Sequence, residues 1–111
     1  MASGQKKLRL PEEVVELVLG TVISTGEVVE AYQYQEHRSA DQARVQRQRD
    51  GVNLWRVAVI GLAYGEFVVT VPSLSRPQFN PQSRISFRGL VVGAGSNGHW
   101  FSADSVQEAA Q

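Results

Sequence analysis

From Asn53 to Val71 the chain alternates. Trp55, Val57 and Val59 occupy every second position, and after Ala63-Tyr64-Gly65 the pattern resumes with Phe67, Val69 and Val71. A period of two is that of an extended strand with one face in a core, and a one-residue slip would turn every side chain to the wrong side. The stretch therefore reads as two paired strands, with Arg56, Ala58, Val68 and Thr70 on the face opposite the core.

The same reading extends in both directions. Ile85 and Phe87 alternate with Arg84, Ser86 and Arg88. The glycine-rich Gly93 to Gly98 reads as a hairpin loop, and Trp100 to Val106 as a closing strand with Phe101 and Ala103 inward and Trp100 and Ser102 outward. Pro72, Pro77 and Pro81 exclude a central strand from Pro72 to Ser83. Upstream, Pro11-Glu12-Glu13 suits at most one helical turn. Val15, Leu17, Leu19, Thr21 and Ile23 then recur at strand spacing, which predicts a strand over about Glu16 to Ser24. Thr25-Gly26 marks a turn or bulge, and Val28 to Tyr34 resumes extended structure.

Five or six short strands and little helix predict an all-β domain. The expected architecture is a small antiparallel OB-like barrel, because closure removes the exposed edges of so small a sheet. An SH3-like barrel or a sandwich is the alternative. A chain of 111 residues suits one domain. The expected boundaries are a flexible tail over 1–10, a barrel over 11–107 with an extended basic loop or hairpin at 33–51, and a flexible end over 108–111.

Formal neutrality hides a charge asymmetry. Residues 1–36 carry three basic groups against six acids, residues 91–111 only Asp104 and Glu108, and residues 37–90 eight cations against three acids. All eight are arginine, whose planar fork of donors suits phosphate and whose face stacks on bases. Arg44, Arg47 and Arg49 crowd the polar stretch before Asp50-Gly51, directly against the strand that contains Trp55. A long polar segment in a compact domain is functional or disordered. Here it could wrap a nucleic-acid strand, ordering when bound. Its bland alternative is a solvated arm, or one that packs against another subunit.

Alternation adds Arg56, Arg84 and Arg88 to the outer surface beside Trp100, with Tyr34 at the start of the loop as a further aromatic. Cations beside an aromatic platform are the chemistry of sequence-tolerant single-strand binding. The expected nucleic-acid-binding set is thus Arg44, Arg47, Arg49, Arg56, Arg84, Arg88, Trp100 and Tyr34.

Other chemistries lack their residues. With no cysteine there is no disulfide, thiolate zinc site or cysteine nucleophile. His37 and His99 have no ligand-spaced partners, so neither a metal nor a cofactor is expected. No serine sits in a nucleophile elbow, and no strand–helix unit surrounds the glycine loop. An enzyme is not expected. No long apolar run suggests a membrane span, and the N-terminal residues lack an apolar signal region, so the expected location is the cytoplasm.

The order of short motifs resembles a known family. Gly26-Glu27-Val28, a polar stretch to about Gln46, Asp50-Gly51 with LWRVAV, then VTVPS, ISFRGLVV and FSADSV follow one another over roughly residues 26–106. This resembles the actinobacterial plasmid replication, integration and excision activator proteins of integrative conjugative elements. The resemblance implies a small β-barrel protein of a mobile element, without enzymatic activity, acting in maintenance or transfer of its DNA. Pro72 and the Arg/Gln-rich loop depart from the family pattern.

The residues and the resemblance together point to single-stranded nucleic acid, DNA in the first instance. The alternative is an interaction or regulatory module that recruits a replication, recombination or transfer protein. An outer apolar patch of Leu54, Ile60 and Val68 would favour that alternative and also a homodimer.

Overall fold

The computed structural model describes residues 6–33, 44–95 and 98–109. These form one helix and nine strands: β1 (Lys6–Arg9), α1 (Glu12–Leu19), β2 (Val22–Glu30), β3 (Gln48–Arg49), β4 (Val52–Gly61), β5 (Gly65–Pro72), β6 (Ile85–Arg88), β7 (Val91–Gly95), β8 (Gly98–Ser102) and β9 (Ser105–Glu108). Seven strands make one sheet in the order β1-β7-β8-β5-β4-β2, with β3 added to β4, and β6 pairs separately with β9.

The all-β class holds, but the details differ from a small antiparallel barrel. β5 and β8 run parallel, so the sheet is mixed. Its path ends at β1 and β2, which do not pair, so it does not close on itself. The segment expected as one closing strand breaks at Ala103-Asp104: β8 stays in the large sheet while β9 leaves to join β6. Part of the expected N-terminal tail is also structured, since Lys6–Arg9 pairs along β7 and Leu10 packs against the core.

The helix is the clearest correction. α1 runs two full turns where a strand was expected. Pro11 precedes it, Glu12 and Glu13 occupy its first turn, and it ends as the amide of Gly20 donates to Glu16 O. Val15 and Leu19 face the core at helical i, i+4 spacing, whereas Leu17 is 82% exposed. The apparent alternation from Val15 to Ile23 therefore misleads on both sides of Gly20: before it the residues are helical, and after it β2 buries Val22 and Ser24 while Ile23 is only half-buried. Within β2 the expected bulge appears: Ser24 faces Val59 and Val28 faces Val57, so four residues on β2 span two on β4. The Thr25 hydroxyl, which donates to Ala58 O at 3.0 Å, ties the bulge to β4.

The inward set behaves as the alternation requires. Val57, Val59, Val69 and Val71 are fully buried, and Trp55, Ile85 and Phe101 join the same cluster with Phe87 packed at its margin. Leu19 from the helix and Leu90 cap this core. Trp55 also donates its indole N–H to Ser73 O at 3.0 Å, so its one polar atom is satisfied.

On the outer face Leu54 is buried, and Ile60 and Val68 are half-buried. The apolar patch from which a second copy was argued is thus largely covered within the chain. Among the described residues no helix is long and apolar enough to cross a membrane.

Trp55→Ala removes a large core side chain and strands the Ser73 carbonyl. Urea denaturation is expected to show a loss of about 3–5 kcal/mol. A midpoint equal to that of the parent would contradict the inward placement of β4.

Candidate nucleic-acid interface

Strand register builds the site. Val29 on β2 pairs with Arg56 on β4, Arg56 with Thr70 on β5, and Thr70 with Ser102 on β8. Trp100, two residues before Ser102, shares that face. With Val57 and Val69 locked inward, Arg56 and Thr70 have to point out.

The described part of the basic segment, from Arg44 on, lies along one side of this face because its backbone is bound to the residues just past β2 and to β4; residues 34–43 lie outside the described residues. Gln33 N donates to Val45 O, Arg47 N to Ala31 O and Leu54 N to Arg47 O, at 2.7, 2.6 and 2.8 Å. The Gln46 side chain adds a bond to Leu54 O at 2.8 Å. Asp50 and Gly51, with φ of 53° and 80°, make the tight reversal between β3 and β4 that an Asp-Gly pair favours. Arg44 and Arg47 are thereby carried to the rim of a groove of about 830 Å³ whose floor includes Arg56, Thr70 and Trp100.

Trp100 is positioned by a glycine. A Cβ at Gly93, the residue paired with Trp100 across β7 and β8, would fall 2.1 Å from both Cε2 and Cζ2 and 2.7 Å from Cη2. Those three distances describe a point above the ring, not beside its edge, so the indole lies flat over the Gly93 backbone. One face rests on the sheet, and the half-buried ring lines the groove. A flat aromatic ring lining a groove has the geometry of a stacking platform.

At the other end of the groove sits a hydrogen-bonded cluster. The Tyr32 hydroxyl donates to Glu30 Oε2 at 2.7 Å, Arg76 pairs with Glu30 Oε1, and the Arg44 guanidinium lies 4.3 Å from the centre of the Tyr32 ring. The bond from Tyr32, then a backbone hydrogen bond and the charge of Arg76, hold the Glu30 carboxyl below the usual carboxylate range. The same bond, seen from its donor, pushes the Tyr32 hydroxyl up. Arg76 also stands over the Trp55 ring at 5.4 Å, which links this cluster to the core.

The expected binding residues divide. Arg44, Arg47, Arg56 and Trp100 come together in the groove. Arg49 lines an adjoining cleft, where its guanidinium donates to Ala103 O at 3.2 Å and lies 3.6 Å from Asp104. Arg84 and Arg88 do not join them: exposed just before β6 and at its end, they line a separate cleft of about 320 Å³ against α1. The reason is topological, since β6 pairs with β9 outside the large sheet. Tyr34 lies outside the described residues. Sequence reasoning passed over Tyr32 as a groove residue and Gly93 as a positioning residue. The signal for Gly93 was a small residue placed across a hairpin from an outward aromatic.

Among the described residues no group of three His, Cys, Asp or Glu side chains could hold a metal ion. Comparison with protein families, curated proteins and solved structures finds no match to this chain.

Two outcomes follow from this geometry. Gly93→Ala drives a methyl into the Trp100 ring, which has to leave the sheet. A red-shifted tryptophan emission and a loss of about 1–3 kcal/mol are expected, and an unchanged spectrum would refute the flat placement.

The second concerns pH. A carboxyl depressed on folding contributes stability above its unfolded pKa and loses it as pH falls through the folded value. Parent and Glu30→Gln should therefore differ in melting temperature at neutral pH and converge in acid. A gap that persists in strong acid would mean that Glu30 acts through packing alone.

Proposed function

We propose that the chain binds single-stranded nucleic acid, with DNA as the first candidate, along the groove between the basic segment and the outer sheet face. The observation that carries this is the flat Trp100 ring sharing one groove with Arg44, Arg47 and Arg56. Guanidinium groups, one on β4 and two on the segment bound beside it, neutralise phosphates, while a base stacks on the indole for about 1–3 kcal/mol. Neither contact reads base edges, so the expected binding is sequence-tolerant. In this reading the sheet serves as the binding face of an OB-like fold does. The resemblance to replication, integration and excision activators belongs to the same proposal, because handling the DNA of a mobile element exposes single strands.

The test is titration of labelled single- and double-stranded oligonucleotides at several salt concentrations. Each neutralised phosphate on a single strand contributes a slope of about −0.7 in log affinity against log salt. Replacing both Arg47 and Arg56 by Ala should make the slope shallower by about 1.4 and weaken all sequences alike. Trp100→Ala should weaken binding with the slope unchanged, because stacking releases few ions. Replacing Arg84 and Arg88 by Ala should change neither. A parent that binds no oligonucleotide at low salt would end this reading. The arginines would then serve a protein partner, such as a replication or recombination protein.

A further inference from the structure

The groove does not stop at Trp100. A second cleft, of about 560 Å³, shares Arg47, Thr70, Trp100 and Phe101 with it and continues to Lys7 on β1. The sheet order explains the continuity. Trp100 on β8 lies over Gly93 on β7, and Gly93 pairs with Lys7 on β1. Arg47, on the rim of both clefts, stands over the passage from one to the other.

We infer that a bound single strand crosses the sheet at a steep angle to the β-strands, from Tyr32 beyond β2, beneath Arg47 and past Trp100, to Lys7, whose ammonium takes a terminal phosphate. This rests on the single-strand reading above and adds to it a path, a length and a residue. From β2 to β1 there are five interstrand spacings of about 4.8 Å, a track on the order of 24 Å. Such a track accommodates on the order of four nucleotides, at the short end for sequence-tolerant single-strand sites.

Lys7 suits the role. It is exposed, sits on a strand held to the sheet, and makes no ion pair among the described residues. Its neighbour on the same edge, Arg9, is instead drawn to Asp104 at 3.7 Å. Asp104 also engages Arg49, so two of the cations near this end are balanced by one carboxylate and Lys7 is left to the ligand.

The experiment measures binding of oligothymidylates of two, four, six and ten nucleotides to the parent, Lys7→Gln and Lys7→Arg. For the parent, affinity should climb steeply between two and about four to six nucleotides and then level off. Lys7→Gln should leave the dinucleotide unchanged, weaken the hexanucleotide roughly three- to tenfold and remove about 0.7 from its salt slope. Lys7→Arg should restore both, which separates a lost charge from a frayed β1. If Lys7→Gln binds every length as the parent does, the strand does not reach Lys7 and the inferred path is wrong while single-strand binding stands. If the parent binds no length at low salt, the reading beneath it falls as well.

Discussion

The burial of Val57, Val59, Val69 and Val71 on one side of the β4–β5 ladder is the constraint on which everything else rests. These four side chains have no alternative face. A slip of one residue would expose all of them and bury Arg56, a cost no small domain could absorb. Hydrophobic register in the core thus sets the direction of the cations on the surface, and Arg56 needs no specific contact to hold its aim. The same logic runs through the β5–β8 pairing, where Phe101 goes inward opposite Val69 and leaves Trp100 facing out.

Charge is only partly separated on this frame, since Arg84 and Arg88 stand beside the acids of α1 and Glu66 lines the groove with the arginines. Three acids sit on α1, while Arg44, Arg47 and Arg56 come together in one groove. Glu30, an acid at one end of that groove, is held between Tyr32 and Arg76. Arg76 therefore has a structural task, bracing the carboxylate and covering Trp55, while Arg44 and Arg47 remain on the rim.

What the sequence disclosed follows physical lines. Period-two alternation exposed the core of β4, β5 and β6 because each buries mainly one face, with Leu54 on β4 the exception. It misled over α1, where three apolar residues in an eight-residue helix fall by chance on alternate positions and only the burial of Leu19 against Leu17 tells them apart. The outward direction of the arginines was legible for the same reason, yet their grouping was not. That Arg84 and Arg88 leave the groove depends on β9 crossing to β6, a choice made between segments about twenty residues apart. The flat seat of Trp100 depends on a residue across a hairpin, and alternation says which way a side chain points but nothing about what lies beneath it.

The parallel junction between β5 and β8 has a mechanical consequence. One side of the large sheet, β2-β4-β5, and the other, β1-β7-β8, are each built from antiparallel neighbours, but they meet at only two paired positions, Val69 with Phe101 and Thr70 with Ser102. A parallel pair also demands a long crossover, here the whole stretch of chain between the end of β5 and the start of β8, so it forms only after distant parts of the chain have met. Arg56 stands on one side of that seam and Trp100 on the other. The two halves of the groove therefore meet along a short ladder, and the packing of Phe101 on Phe67 beneath that ladder fixes the span between cation and ring.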